Sequence, residues 1–228
     1  MLRISRLVSG IGLPLLLAAC GEDSAPPSEP GKERTQGRGA DVSATAVDRS
    51  RSEIRQTGAN AVFSSIDPSG CVETFVFVLG AEQAQKEGPG KPTTAPLAIV
   101  EMSEFNFCTG ELVREIIGTT DDATFQAGRK LTEARLQTTI SAFDFVNEVE
   151  VQVVVDLAWT GAGELVSLSD RFRQKAPGIL LNLWLKGTFR QAEVSGTVIV
   201  EGENVATEAV AAEILRARSG FMEMVRTR

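Results

Sequence analysis

Between Glu148 and Trp159 every odd position is apolar. Val149, Val151, Val153, Val155, Leu157 and Trp159 hold the odd positions, and Glu148, Glu150, Gln152 and Asp156 are among the even ones. Successive side chains of an extended chain point to opposite faces, so this spacing sets the apolar groups on one side of a strand. At the helical period they would be scattered around the axis. The same period returns further on. Ile179, Leu181, Leu183, Leu185 and Phe189 oppose Asn182, Trp184, Lys186 and Thr188; then Val194, Gly196, Val198 and Val200 alternate with Glu193, Ser195, Thr197 and Glu201. Further strands are expected at 60–66, 71–81, 96–108, 111–118 and 134–146. A parallel crossover needs a helix-length connection, and none separates these segments. The expected fold is therefore all-β, an antiparallel β-sandwich or barrel of about eight to ten strands. Residues 207–218, TEAVAAEILRAR, carry alanines and glutamates that favour helix, so a short C-terminal helix is one reading. The other is a strand from about Ala212, with Ser219-Gly220 turning into a last strand at FMEMV.

One stretch occurs twice. EFNFCTG at Glu104–Gly110 returns as AFDFVNE from Ala142 to Glu148. Each copy reads as a strand, Phe-x-Phe with Asn or Asp between, a turn and a returning strand, so the repeat is a hairpin built twice. In both copies the preceding apolar residues, Val100 and Met102 or Ile140 and Ala142, are even-numbered, whereas the phenylalanines are odd-numbered. Either a β-bulge shifts the parity, or the phenylalanines point to the opposite face.

The N-terminus carries a different signal. Arg3 and Arg6 precede a short apolar run, Leu7 to Leu17, followed by Leu17-Ala18-Ala19-Cys20. That order is a secretory signal, and a run interrupted by Pro14 is too short to span a bilayer as a helix. LAAC resembles the lipobox of bacterial lipoproteins, in which the cysteine becomes the lipid-modified first residue of the mature chain. The resemblance covers residues 1–20 and implies acylation at Cys20, an envelope location and a membrane held through the N-terminal lipid. Gly21 stands where an inner-membrane retention signal would have aspartate, so in a Gram-negative host it implies the outer membrane, and otherwise the outer face of the cytoplasmic membrane. The expected organisation is a signal peptide at 1–19, a flexible tether at 20–58 and one antiparallel β domain at 59–228. The tether is rich in Pro, Gly, Ser and mixed charge and cannot bury enough apolar surface to order itself, although Ser43–Arg55 could form a transient helix.

The formal charge is −7, with 23 basic and 30 acidic residues. A chain of that sign is repelled by phosphate backbones, so no nucleic-acid partner is expected. With Cys20 in the anchor, Cys71 and Cys108 form an even pair in an exported chain, where a disulfide is expected. Two buried free thiols are the alternative.

Chemistry is restricted by the absence of histidine, which excludes the Ser-His-Asp and Cys-His arrangements. No phosphate-loop or dinucleotide motif is present, so neither a cofactor nor a metal site is expected and no residue is assigned a catalytic role. The close carboxylate pairs are Glu101/Glu104, Asp121/Asp122, Glu148/Glu150 and Glu201/Glu203. Glu148/Glu150 and Glu201/Glu203 are expected to share a strand face, and Asp121-Asp122 reads as a polar turn rather than a calcium site. Two surface features could bind a ligand. Trp184 lies on the polar side of its strand, and Arg171, Arg173 and Lys175 lie in RFRQK, expected to be a loop. By elimination the chain reads as a non-catalytic binding or interaction module for an envelope protein or glycan. The alternatives are a lipocalin-like carrier of an apolar ligand and, less favoured, a carbohydrate-active hydrolase with two acids.

Overall fold

The structure is a computed structural model that describes residues 47–87, 90–176 and 179–226. Eleven strands and no helix occur among them. The strands are β1 (Val47–Ile66), β2 (Val72–Glu87), β3 (Thr93–Asn106), β4 (Glu111–Thr120), β5 (Thr124–Ala127), β6 (Glu133–Asp144), β7 (Val149–Gly161), β8 (Val166–Ala176), β9 (Ile179–Val200), β10 (Glu203–Asn204) and β11 (Ala209–Arg226). All pairings are antiparallel, as the alternation requires. They run β1–β2–β3–β4–β6–β7–β9–β11 and return to β1, a circuit of eight strands without a free edge. β5 pairs with β6, β8 with β9, and β10 closes a hairpin on the end of β9.

The inward positions are those the alternation marks. Val151, Val153, Val155, Leu157 and Trp159 on β7 are buried, and Val149 at its start is exposed. They meet Leu136 and Ile140 of β6, Val76 and Val78 of β2, Ala59 and Ala61 of β1 and Val198 and Val200 of β9 in one core. Trp159 Nε1 donates 2.8 Å to the Asn60 carbonyl on β1, so the largest core side chain also satisfies its polar atom. The narrowest join in the circuit is β4 to β6, where only Ile116–Gly118 pair with Ala142–Asp144. Gly118 is required there, because a Cβ would stand 2.6 Å from that of Ala142.

The repeated stretch forms the turns of the β3–β4 and β6–β7 hairpins. Asn106 Oδ1 accepts from the Cys108 and Thr109 amides at 2.9 and 3.1 Å, and Asp144 Oδ1 from the Val146 and Asn147 amides at 3.1 and 3.2 Å. The residue between the phenylalanines is thus the acceptor that closes the turn. Each turn ends in a left-handed residue, Gly110 at φ 75° and Glu148 at φ 56°. The phenylalanines lie opposite the core-facing parity and touch edge to face within each copy, with centroids 5.1 Å apart. A bulge occurs only in the first hairpin, at Glu104/Phe105 opposite the returning strand, while β6 and β7 pair without interruption. The outward-pointing reading is therefore correct. Cys71 and Cys108 form a disulfide at the open end of β2 and β3, with Cα atoms 5.3 Å apart.

Several expectations are corrected. Residues 47–58, assigned to the tether, and the helix envisaged within Ser43–Arg55 from residue 47 onward, are strand. β1 there pairs with β11 from Val47 and with β2 as well from Ser52, and this pairing supplies what its polar composition lacks. Residues 1–46 lie outside the described residues. The helix admitted at 207–218 is strand from Ala209, and Ser219-Gly220 makes no turn, because β11 is paired on both sides through that point. The RFRQK loop is strand β8. Glu148 and Glu201 both lie in turns with positive φ, so neither shares a strand face with Glu150 or Glu203.

Candidate functional site

Beyond the core, β1, β2, β9 and β11 continue as an open blade, widened by β8. The face continuous with the core is not apolar there. Cross-strand partners share a face, and their register places it in rows. Arg171 on β8 lies opposite Trp184, Trp184 opposite Gly220, and Gly220 opposite Glu53. One row toward the core, Lys186 is followed by Arg218 and Arg55; one row outward, Arg173, Asn182, Met222 and Arg51 line up. Lys86 lies opposite Glu53 on β2, Arg216 and Arg190 lie nearer the core, and Lys175 lies nearer the tip. At least ten basic residues thus share this face with two acidic ones, Glu53 and Glu82. The net charge of the chain conceals this local reversal.

Glu53 organises the centre. It is 6% exposed and accepts 2.8 Å from Arg55 Nε and 2.6 Å from Arg218 Nη2, with Arg51 at 3.4 Å. The hydrogen bond from Arg218, followed by that from Arg55, outweighs burial and holds its carboxyl at about 2. Beside it, Trp184 lies across Gly220, where a Cβ would stand 2.1 Å from the indole. The Arg51 guanidinium is 5.7 Å from the Trp184 ring centroid, within cation–π range. Asn182, 8% exposed, accepts 3.0 Å from Arg171 Nε and fixes the start of the β8 cations. Lys86, Arg171, Arg173, Lys175, Lys186, Arg190 and Arg216 form no ion pair among the described residues. Arg190 Nε is moreover buried without a hydrogen-bond partner. Neighbours within a row stand about 5 Å apart and successive rows about 7 Å apart, inside the screening length of about 8 Å at physiological salt, so these charges act together.

Arg171, Arg173, Lys175 and Trp184, which the sequence presents as two unrelated features, therefore belong to one surface. Sequence reasoning missed Arg51, Arg55, Lys86, Lys186, Arg190, Arg216 and Arg218 as members of it. A signal for them exists, since Arg-x-Arg occurs at Arg49/Arg51, Arg171/Arg173 and Arg216/Arg218, and a spacing of two is the same-face spacing of a strand. The opposite face of the blade carries the leucines at 181, 183 and 185, with Phe189, Phe221 and Phe172, the last 54% exposed. The alternation of β9 is as read, but from Leu181 to Phe189 its apolar side faces away from the core, whereas Val198 and Val200 face into it.

A second concavity, of about 500 Å³, opens where β9 and β11 cease to pair beyond Gln191 and Glu213. Ala192, Val194 and Val210 line it together with Glu193 and Glu213. Burial raises the Glu213 carboxyl. At the turn end of the core, Asp144 is buried and ion-paired with Arg114 at 3.2 Å, and Arg114 also binds Glu201. Burial opposes the charge on Asp144, but hydrogen bonds from the Asn147 side chain and from the Asn147, Val146 and Glu115 amides outweigh it and lower its pKa. This group locks the β4–β6 join.

No protein-family model matches the chain, and no curated protein does. A crystal structure of a protein from Nitrosomonas europaea named as AttH is similar at 14% identity and a TM-score of 0.26, over 78% of this chain and 52% of that one. The chain spans about half the length of that protein, and a likeness at that level decides neither fold nor function.

Proposed function

We propose that the protein is a lipid-anchored, non-catalytic binding module of the cell envelope that holds a negatively charged ligand on the basic face of its blade. The observation that carries this reading is the gathering of at least ten basic residues and Trp184 on one face of a chain whose acids outnumber its bases. A guanidinium forks onto carboxylate or phosphate oxygens, and an indole supplies flat apolar contact beside them. A carrier role is less supported, because Trp159, Leu136, Leu157 and Ile140 occupy the interior that a ligand would need.

Retention on a sulfonate cation-exchange matrix at pH 7 tests the reading. A chain of charge −7 with evenly spread charges would flow through. Retention that disappears in Arg171→Glu/Arg173→Glu supports the face, and flow-through of the wild type refutes it. For the anchor, Cys20→Ala should release the protein from membranes, and unchanged membrane retention would refute lipidation.

The cleft with Glu193 and Glu213 favours a second reading, a two-acid carbohydrate hydrolase, because a raised carboxyl is what the general acid needs. Release from chromogenic glycosides that is abolished by Glu213→Gln would establish it, and no release would end it.

A further inference from the structure

The basic face lies on the part of the domain where the chain enters the fold. Val47, the first residue of β1, pairs with Arg226 at the end of β11, at the tip of the blade farthest from the core. Cys20 stands 27 positions before it. Even fully extended, a segment of that length spans at most about 100 Å. We infer that the basic face docks on phosphate-bearing headgroups of the membrane that carries the anchor, so that the domain lies against that surface instead of ranging over the whole sweep of its tether. The inference rests on the lipid-anchored binding reading above.

Three features favour headgroups over an acidic protein. The first is position, since the chain enters the blade tip only 27 positions after the proposed anchor, which keeps this face near the bilayer. The second is shape. The cations stand in rows across a sheet rather than in a walled pocket, and a sheet can cover many phosphates at once. The third is charge asymmetry. With an acidic balance over the whole chain and at least ten basic groups on one face, an anionic plane attracts one side of the molecule and repels the rest, which fixes its orientation. Each basic residue held at an anionic surface raises partitioning roughly fivefold. Glu53 reduces the share of Arg51, Arg55 and Arg218, which are committed to it, so Arg171, Arg173, Lys175 and Lys186 supply most of the attraction. Trp184 belongs to the residue type that settles at headgroup level.

The test uses the mature chain with Cys20→Ser, so that no acyl group contributes. It is mixed with vesicles rich in phosphatidylglycerol, with vesicles of phosphatidylcholine alone, and with inorganic phosphate in a calorimeter. The proposal expects cosedimentation with the anionic vesicles at least about tenfold above the neutral ones, weakening steeply as salt is raised. Arg171→Glu/Arg173→Glu should remove it, as should Lys175→Glu/Lys186→Glu if the first pair disturbs β8. Leu168→Ser/Phe172→Ser, on the opposite face, should leave it unchanged. Equal binding to both vesicles, or loss only in the Leu168/Phe172 variant, overturns the proposal in favour of apolar insertion. Heat from inorganic phosphate without vesicle binding overturns it in favour of a soluble anion. Retention on the sulfonate matrix without vesicle binding leaves the anion-binding function standing and removes the membrane from it.

Discussion

Replacing Glu53 by Gln tests how the basic face is held together. The substitution keeps the shape and removes the charge that three guanidiniums share. The carboxyl sits at about 2 against 4.5, and at about 1.4 kcal/mol per unit this bounds its contribution at roughly 3 kcal/mol. The guanidinium side chains are 48–64% exposed and can turn to water once released, so a loss of about 2 kcal/mol is expected. For a chain of this size that lowers Tm by roughly 4–8 °C. The folded-state pKa is depressed, so the stabilisation is complete above 4.5 and is lost as pH falls toward 2. Urea unfolding of both proteins, followed by circular dichroism at pH 7, 5 and 3, reads the effect. The gap should be nearly full at pH 5 and reduced by more than about half at pH 3. The freed guanidiniums should at the same time strengthen binding to anionic vesicles several-fold. A gap under about 0.5 kcal/mol at pH 7, or one that stays constant down to pH 3, would refute the reasoning.

Other consequences follow from the turns and the join. Asp144→Ala removes both the turn acceptor and the Arg114 ion pair and should cost about 3 kcal/mol, whereas Asp144→Asn keeps the acceptor and should cost about half of that in chemical denaturation. Glu148→Gly relieves a left-handed residue at φ 56° and should stabilise by about 0.5 kcal/mol, while Gly110→Ala at the equivalent position should destabilise by about 1 kcal/mol. Reduction of Cys71–Cys108, with a sequence separation of 37, should lower stability by about 2–4 kcal/mol, read as a drop in the denaturation midpoint on adding reductant.

The parts of the fold that sequence disclosed are those where one side chain in two meets the core. β7 is the clearest example, because every second residue from Val151 to Trp159 is buried and none of those between is. The blade was hidden for the opposite reason. RSRSEIR at Arg49–Arg55 has almost no apolar residue, and it is strand because β11 pairs with it throughout and β2 joins from Ser52. The alanines of β11 express a helical preference that the same pairing overrides. Trp184 and Arg171 were each visible alone, but their union depends on the register between β8 and β9, a long-range fact that no local pattern encodes. The role of Asn106 and Asp144 was half visible, since the repeat marked the positions and only the turn hydrogen bonds supplied the reason.

Among the described residues β8 pairs with β9 alone, and from Val166 to Lys175 its residues are exposed, so its outer border of amide and carbonyl groups is open. Such a border is a template on which a foreign strand could grow, and the apolar Val166, Leu168 and Phe172 beside it would strengthen the attachment. Asp170, Arg171, Arg173 and Lys175 interrupt that template: an identical segment approaching in parallel register would bring like charges together at every second rung. The cations proposed to hold anions thus also oppose fibril growth, and neutralising them should favour self-assembly.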